Sequence, residues 1–301
     1  MFELEICYQE KDKLGKGKTA AEKMKDKSKN GDEVEESDDK VVERIDNQVV
    51  FPGGKIGLLR KTLESISEIV DHVEIKAREH GLEMQVMDSL HVVFVDIFLS
   101  KNLFDKYRCD RDITLGIKIK SLITILKDLT FPQDSLLHIS CDDNPSKLDI
   151  CYKQPQYTLN WELSLYSFDN EVFEMPKLEF NAEILMSTSQ YMVLPKMVGI
   201  FGEFITIDAM KNKVVFRQCG DTTSAAMTLE ENESKEVEIN VITDIKKEMA
   251  MKYITIIGKV ANLCSKVKLH MGHETPIFFD FSIYDLGHMR YYIAPKTESD
   301  Y

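Results

Sequence analysis

The feature that most constrains this 301-residue chain is the number of segments in which apolar and polar residues alternate one for one. In segment 2–8, and again in segment 158–165, apolar side chains occupy every second position. Successive side chains of a β-strand point to opposite faces, so this period predicts strands with one buried face. Turn-forming sequences follow such segments at Cys141-Asp142-Asp143-Asn144-Pro145 and Lys211-Asn212-Lys213. The chain is therefore predicted to consist mainly of antiparallel hairpins.

Four segments instead carry apolar residues at the three-to-four-residue spacing of one helix face. The third begins with the capping-box sequence Ser187-Thr188-Ser189-Gln190, and Pro195 within it predicts a kink because proline has no N–H to donate. The four helices fall in two pairs with strands between them. This order predicts an α+β fold made of two similar halves, divided near residue 170. The apolar residues that define the helices are Leu59, Leu63, Ile66 and Val70; Leu122, Ile125, Leu126 and Leu129; Tyr191, Leu194 and Val198; and Met249, Tyr253, Ile256 and Val260.

A charged segment near the N-terminus departs from this pattern. From Glu10 to about Val41 the sequence runs from lysine-rich to acidic and is nearly devoid of aromatic and β-branched residues. Such a composition does not bury enough surface to offset the entropy lost on ordering. We expect a disordered charged insertion within residues 10–50. A nuclear-import signal or an additional phosphate-binding arm is the functional alternative.

The overall charge of −13 argues against nucleic-acid binding, because contacts with phosphates require lysine and arginine. Net charge, however, does not describe how charge is distributed over the surface. Basic residues recur on the polar sides of the predicted helices, where they form a minority surface suited to sequence-independent contact with phosphates. Ordinary solvated lysines are the alternative explanation. The candidate DNA-facing residues are Arg60, Lys61, Lys127, Lys196, Lys252 and Lys259.

Several classes of protein are disfavoured. The segment Met1–Ile6 lacks the basic and apolar regions of a secretory signal, and the apolar runs are shorter than the ~18 residues of a membrane span. The six cysteines form no CxxC pair, which favours a reduced intracellular protein with free thiols. We find no GxxxxGK loop, nucleophile elbow or Cys–His signature, and His91 and His288 have no neighbouring ligands at metal spacing. We therefore expect no catalytic residue, no cofactor and no metal.

Three longer motifs are more specific. They are Met87-Asp88-Ser89-Leu90-His91-Val92, Tyr107-Arg108-Cys109-Asp110-Arg111, and Asp285-Leu286-Gly287-His288-Met289-Arg290-Tyr291-Tyr292-Ile293-Ala294-Pro295-Lys296. Together they closely resemble the proliferating cell nuclear antigen family, the sliding clamps of eukaryotes and archaea. The resemblance covers essentially the whole chain except about residues 10 to 50.

This resemblance implies a DNA-clamp fold of two similar domains, each with two helices packed on antiparallel sheets. We accordingly expect an N-terminal clamp domain over residues 1–164, an interdomain connector over 165–177 and a C-terminal clamp domain over 178–301. In the family, three subunits close head to tail into a ring whose hole is lined by the helices. The six basic residues named above would then face the DNA.

The resemblance also implies where subunits meet and where partners dock. Strand Thr158 to Leu165 of one subunit should pair with Ser224 to Leu229 of the next, with Trp161, Leu163, Met227 and Leu229 in the interface. A plain core position is the alternative for Trp161, as it is for Met87 and Phe94 in the pocket. An apolar groove of this kind suits a short peptide with one aliphatic and two aromatic side chains. The expected pocket residues are Met87, His91, Val92, Phe94, Phe173, Met175, Pro176, Pro276, Tyr292, Ile293, Ala294 and Pro295.

One modification site and two departures complete the comparison. Lys211 stands at the position of the family's ubiquitin-acceptor lysine, although an ordinary surface lysine is the alternative. The connector reads Phe173-Glu174-Met175 where the family usually has Leu-Gly-Ile, which affects which partner peptides fit. Ser67 and Thr124 stand where lysines are common, so the lining of the hole is expected to be less basic than usual.

The expected function is that of a DNA sliding clamp. A homotrimer would encircle duplex DNA without reading its sequence, in the nucleus, as a processivity factor for the replicative DNA polymerase. Expected partners are the clamp loader, the replicative polymerase, flap endonuclease, DNA ligase and other proteins with short clamp-binding peptides. The alternatives are a subunit of a heterotrimeric checkpoint clamp and an interaction scaffold that does not enclose DNA. Self-association separates them, because only a homotrimer needs both complementary edges on one chain.

Overall fold

A computed structural model of the chain describes residues 1–7, 43–45, 48–50, 54–130, 134–168, 178–231, 236–261 and 263–296. Most of the predicted charged insertion lies outside these residues, as do residues 169–177 of the predicted connector. None of the helices in the described ranges is long and apolar enough to cross a membrane. All six cysteines lie in the described residues and are free thiols.

In the described residues, the N-terminal half forms two α-helices among hairpin-connected strands. Its elements are β1 (Phe2–Cys7), β2 (Glu43–Ile45), β3 (Gln48–Val50), α1 (Gly54–Ile66), β4 (His72–Arg78), β5 (Gly81–Met87), β6 (Val93–Ser100), β7 (Lys106–Cys109), β8 (Ile113–Lys118), α2 (Ile119–Lys127), β9 (Leu136–Cys141), β10 (Lys147–Lys153) and β11 (Thr158–Ser164).

Over the ranges described, the C-terminal half repeats this order with different lengths and without counterparts of β2 and β3, which pair only with each other. Its elements are β12 (Ala182–Ser187), α3 (Thr188–Tyr191), a π-helical turn (Leu194–Val198), β13 (Phe204–Met210), β14 (Lys213–Cys219), β15 (Ser224–Glu230), β16 (Glu238–Val241), β17 (Ile245–Ala250), α4 (Met251–Ala261), β18 (Lys266–Met271), β19 (Ile277–Ser282) and β20 (Gly287–Ile293).

The two halves share one topology, as the predicted duplication requires. The first half forms a five-stranded array in the order β11-β10-β9-β1-β7 and a four-stranded array in the order β6-β5-β4-β8. The second half forms the matching arrays β20-β19-β18-β12-β16 and β15-β14-β13-β17. Strand pairing within these arrays is antiparallel throughout, in agreement with the predicted hairpins.

One strand pair joins the two halves. Strand β20 of the second half pairs antiparallel with β6 of the first, so that Tyr291 faces Val95 and Ile293 faces Val93. A nine-stranded sheet therefore runs through both halves. This seam leaves β11 and β15 as edge strands of the two remaining arrays.

The predicted burial faces are largely confirmed. On β1 the side chains of Phe2, Leu4 and Ile6 are buried and the intervening residues are half-buried. On α1 the predicted face of Leu59, Leu63 and Ile66 is buried, whereas Val70 lies beyond the end of the helix. Burying one such aliphatic side chain contributes about 1.5–3 kcal/mol, so the alternating pattern itself selects the buried face of each strand and helix.

The third predicted helix is not continuous. The capping box forms as expected, with Ser187 Oγ accepting from the Gln190 amide and the Gln190 side chain accepting from the Ser187 amide. The α-helix then ends at Tyr191 and is followed by the π-helical turn, in which Gly199 N–H donates to Leu194 O over 2.7 Å. Pro195 lies in this turn, and its missing N–H explains why an interrupted helix replaces the predicted kink.

The start of the connector packs against β8 at a glycine. Tyr166 N–H donates to Gly116 O over 2.9 Å, and a Cβ on Gly116 would lie 2.0 Å from the Tyr166 carbonyl oxygen. The rings of Tyr166 and Phe168 stack near that of His72. Gly116 is therefore the position at which the connector reaches the sheet.

We expect Gly116→Val to displace residues 166–168 and to lower the free energy of unfolding by about 1–3 kcal/mol, because overpacking forces backbone shifts. Denaturant titration measures this change. The control is Thr114→Val, since Thr114 is exposed on the same strand. Equal stability of the two variants would contradict the proposed close approach.

Candidate nucleic-acid interface and docking surfaces

The four helices form one continuous row. Helix α1 packs against both α2 and α4, and α4 packs against α3 and the π-helical turn. The order α2-α1-α4-α3 therefore crosses from one half of the chain to the other. The outward-facing polar positions of this row form a single surface, which we call the helix face.

Two of the predicted DNA-facing residues meet where α1 and α2 pack. The Arg60 guanidinium donates to the backbone carbonyl of Lys127 over 3.2 Å, and its Nε lies 3.4 Å from Glu64. Arg60 is half-buried by these contacts, whereas the Lys127 side chain is exposed in the last turn of α2. Arg60 thus binds the C-terminal end of α2, where a cation is stabilised by the helix dipole.

The remaining candidates differ in the exposure of their side chains and in the groups that their ammonium ions contact. On α4, Lys252 and Lys259 are both exposed and lie on the side of the helix that faces away from the core. The Lys252 ammonium lies 4.7 Å from the centre of the Tyr253 ring, and the Lys259 ammonium pairs with Glu68. Lys196 is exposed in the π-helical turn, and Lys61 is half-buried on α1. The helix face is therefore basic at α4 and α2 but partly neutralised by acidic residues near α1.

The predicted interface strands occupy the free edges of the arrays. On β11, Trp161 and Leu163 are half-buried, and Leu159 beside them is 41% exposed. On β15, Met227 is half-buried and Leu229 is buried. Among the described residues β11 pairs only with β10, and β15 only with β14. Both edges therefore carry unpaired backbone donors and acceptors beside apolar side chains.

An exposed apolar patch next to β15 was missing from the predicted site. Met197 is 67% exposed and Ile200 is 62% exposed, and Phe201 lies next to them. The π-helical turn that carries Met197 packs against β14 and β15. Met197 lies within the predicted third helix, whereas Ile200 and Phe201 follow its last predicted residue, Val198, so the helical pattern did not mark the three as one surface.

The predicted peptide pocket is organised by strand register. Met87, Phe94 and Tyr292 are direct neighbours across β5, β6 and β20, and the same row continues through Phe278 on β19 to His270 on β18. The Phe94 and Tyr292 rings are 5.8 Å apart, and the Tyr292 and Phe278 rings stack at 4.4 Å. Directly opposed side chains on one sheet face interact strongly. The row forms an aromatic floor on one face of the nine-stranded sheet.

Sequence reasoning missed part of this floor. Phe278 and His270 belong to the row, and the Phe180 ring lies 5.0 Å from the His270 ring. Burial lowers the pKa of His270. Burial also raises the pKa of Tyr292. Residues 277–282 were not predicted as part of the site, because only the strand register shows which of their rings continue the pocket.

Other predicted pocket residues lie around the floor or away from it. Pro276 and Pro295 are half-buried, Ala294 is exposed, and Ala294 N–H donates to Val92 O over 2.8 Å. This bond joins the C-terminal segment to the loop that carries His91 and Val92. Ile293 is fully buried in the core, on the face of β20 opposite Tyr292, which corrects its predicted place in the pocket wall. Phe173, Met175 and Pro176 lie outside the described residues.

Lys211 lies where the sequence placed it. It is exposed in the two-residue turn between β13 and β14. In the described parts of the chain, no group of three or more His, Cys, Asp or Glu side chains is arranged to hold a metal ion.

Comparison with known sequences decides the family. The profile of the proliferating cell nuclear antigen N-terminal domain matches residues 54–173, and that of the C-terminal domain matches residues 174–296. The chain belongs to the proliferating cell nuclear antigen family. Proliferating cell nuclear antigen 2 of Drosophila melanogaster is 31% identical over 242 residues, which cover 80% of this chain and 94% of the relative. Proliferating cell nuclear antigen of Chaetomium thermophilum is 26% identical over 250 residues, which cover 81% of this chain and 96% of the relative.

Membership of the proliferating cell nuclear antigen family supports a DNA sliding clamp with the two-domain clamp fold. The two matches meet at residues 173 and 174, inside the connector that the sequence predicted at 165–177. They begin at residue 54, so the charged insertion precedes the part of the chain that matches the family.

Proposed function

We propose that this chain is one subunit of a homotrimeric ring that encircles duplex DNA and tethers replication and repair proteins to it. The observation that carries the proposal is the repeated topology. Strand β20 pairs with β6 inside the chain, and the strands at the equivalent positions, β11 and β15, are edges without a further partner in the described part of the chain. The same pairing between β11 of one copy and β15 of the next satisfies both edges.

The repeat also supplies a register for this seam. The two-residue turns after β4 and β13 are equivalent, so Ser100 corresponds to Glu230 and Val95 corresponds to Ala225. The first strands of the two halves, β1 and β12, are also equivalent, so Leu4 corresponds to Ile184. The cross-strand neighbours lead from Leu4 through β9 and β10 to Trp161, and from Ile184 through β18 and β19 to Tyr291. Trp161 therefore corresponds to Tyr291. Because Tyr291 faces Val95 within the chain, Trp161 is proposed to face Ala225 of the next subunit.

Burial supports this seam. Tyr291 and Ile293 are fully buried inside the chain, whereas the equivalent Trp161 and Leu163 remain half-buried on a free edge. The exposed patch of Met197, Ile200 and Phe201 lies beside β15, where it would add apolar area to the seam. Two different surfaces in one contact form a heterologous interface, which closes into a ring when the rotation allows it. A subunit count of three is the state implied by the family.

The proposed mechanism is topological. A closed ring stays on duplex DNA even though each contact between a phosphate and the helix face is weak, so the ring slides without reading sequence. Partner proteins gain effective concentration at the DNA when a short peptide of theirs docks on the aromatic floor. We propose residues 1–164 and 178–301 as the two clamp domains, with 165–177 as the connector between them.

The proposed partners follow from this role. They are a clamp loader that opens the ring, the replicative DNA polymerase, flap endonuclease, DNA ligase and other proteins with short clamp-binding peptides. The proposed location is the nucleus. We propose no catalytic activity for the chain itself, and Lys211 is proposed as a ubiquitin acceptor because it is exposed in a turn.

A heterotrimeric checkpoint clamp and a scaffold that does not enclose DNA remain the alternatives. In either case the two edges of this chain do not pair with each other. The homotrimer is favoured because the repeat places apolar residues of β11 opposite β15 of a second copy of the same chain, and because both halves match the proliferating cell nuclear antigen family.

Cysteine cross-linking tests the proposal directly. Within the chain Arg290 faces Asp96, so the equivalent residues Asn160 and Ala226 are expected to face each other across the seam. A chain with Asn160→Cys and Ala226→Cys should oxidise to a covalent species of three times the 34.7 kDa chain mass. Directly opposed residues of antiparallel strands are within disulfide reach. The parent chain carries Cys219→Ser, which removes an exposed native thiol, and Cys151→Ser, because Cys151 lies directly opposite Asn160 on β10 and would otherwise capture the new cysteine within the chain.

The matched control shifts one cysteine along the strand. Glu230 is exposed on the same side of β15 four residues from Ala226, or about 13 Å away. A chain with Asn160→Cys and Glu230→Cys should give little covalent trimer. If both double-cysteine chains stay monomeric after oxidation, the homotrimer proposal is overturned, and a clamp that requires other subunits is favoured.

A further inference from the structure

A buried carboxylate links loop 88–92, beside the peptide pocket, to the buried side of helix α4. Asp88 follows β5, and its Oδ1 accepts from the amides of Val92 and Val93 over 2.7 and 2.8 Å. Its other oxygen, Oδ2, accepts from the Tyr253 hydroxyl over 3.3 Å. Tyr253 belongs to α4, so this hydrogen bond connects two segments 165 residues apart and crosses between the halves of the chain.

We propose that Tyr253 is a positioning residue for partner docking: through Asp88 it holds loop 88–92 in the shape that the peptide pocket requires. The inference rests on the proposed function, because it assigns a role within the proposed docking site. Tyr253 itself is buried behind the loop and is not proposed to touch the peptide.

The geometry of the loop explains why it needs such support. His91 has φ 55°, a left-handed conformation that is unfavourable for a residue with a side chain. The loop also holds Leu90 and His91 exposed to solvent, so the burial of their own side chains does little to fix it. Two backbone bonds close the loop, from Asp88 N–H to Val93 O over 3.1 Å and from His91 N–H to Asp88 O over 3.0 Å. The Asp88 carboxylate and the bond from Ala294 N–H to Val92 O complete its support.

The Tyr253 hydroxyl completes the hydrogen bonding of the carboxylate. Asp88 is buried, and an unsatisfied oxygen on a buried charged group is costly. If the hydroxyl is removed, the carboxylate is expected to turn toward solvent to recover a partner, which weakens its hold on the two amides. Burial, together with the nearby Asp88 charge, raises the pKa of Tyr253 to about 12, so the hydroxyl stays protonated and donates at neutral pH.

The test compares Tyr253→Phe with Tyr191→Phe in the full-length chain. Both tyrosines are buried. The Tyr191 hydroxyl donates over 2.8 Å to Ile254 O of α4, the helix that carries Tyr253, and makes no link to loop 88–92. The probe is a fluorescein-labelled synthetic peptide that carries one isoleucine and two phenylalanines. We expect Tyr253→Phe to weaken its affinity by about tenfold, as for loss of a hydrogen bond to a charged group, and Tyr191→Phe to leave it unchanged.

Hydrogen exchange supplies a readout that a general loss of stability does not reproduce. In Tyr253→Phe the amides of Val92 and Val93 should exchange about tenfold faster while the amides of the central β-strands keep their rates. In Tyr191→Phe these two amides should not be selectively affected. Light scattering confirms that each variant keeps the mass of the wild-type assembly.

The outcomes separate this inference from the proposed function. If the wild-type chain binds the peptide and Tyr253→Phe binds it equally well, Tyr253 has no positioning role, although the docking site stands. Unchanged exchange at Val92 and Val93 in Tyr253→Phe would overturn the role as well. If the wild-type chain does not bind the peptide, the docking proposal fails, and with it the functional part of this inference.

Discussion

Replacing Leu159 by aspartate is expected to convert the ring into monomers. Leu159 is 41% exposed in the isolated chain, and by the repeat it corresponds to Met289, which is fully buried in the seam between β20 and β6. The equivalent seam between subunits would bury the new carboxylate opposite Met227. An uncompensated buried charge costs about 3 kcal/mol or more, which weakens each contact by roughly a hundredfold. Light scattering across a dilution series measures the change from three chain masses to one.

The control for this variant is Asn160→Asp. Asn160 is the next residue on β11, is exposed and points to the opposite face of the strand. The substitution Asn160→Asp introduces the same charge change but leaves the new carboxylate exposed to solvent, so the trimer should persist. Because Leu159 is not part of the buried core, circular dichroism of the Leu159→Asp monomer should remain that of the folded chain. A persistent Leu159→Asp trimer would contradict the proposed register.

The second large effect is expected on the helix face. Reversing Lys252 and Lys259 to glutamate should reduce the affinity for duplex DNA by at least about tenfold at low salt and leave the trimer intact. Both lysines are exposed on α4, and each lost phosphate contact also makes the dependence of affinity on salt shallower by about 0.9 in logarithmic slope. Fluorescence anisotropy with a labelled duplex, repeated over several salt concentrations, measures both quantities.

A matched charge reversal separates local contact from net charge. Lys153→Glu with Lys268→Glu also changes the formal charge from −13 to −17, but these lysines are exposed on β10 and β18 and not on the helices. The control should bind DNA nearly as well as the wild type. Equal losses in both double variants would show that overall charge, and not the helix face, governs binding. Loss of the trimer in the α4 variant would count against its assignment as a DNA-facing pair.

The repeated fold and the family could be predicted from the sequence. Alternation on β1 and the helical spacing on α1 each placed the correct side chains in the core. The capping box at Ser187 placed the start of α3. The three motifs pointed to the family that the profiles then matched over residues 54–296. These features are local, because each depends on residues within a few positions of one another along the chain.

Other features could not be predicted from local patterns. The sequence predicted one helix through Val198 with a kink at Pro195, whereas the α-helix ends at Tyr191 and a π-helical turn that contains Pro195 follows it. The resemblance placed Ile293 in the pocket wall, whereas its position on β20 turns it into the core. Phe278 and His270 were not predicted at all, because they lie on strands whose place beside Tyr292 depends on the pairing of β18, β19 and β20.

The sequence by itself determined the buried faces of β1 and α1, the start of α3, and the family to which the chain belongs. Tertiary structure alone decided the register of the strands, that the nine-stranded sheet runs through both halves, and that Tyr253 reaches Asp88. The physical reason is the range of the interactions involved. Burial patterns and caps are set by neighbouring residues, whereas register and hydrogen bonds between segments 165 residues apart exist only after the chain has folded.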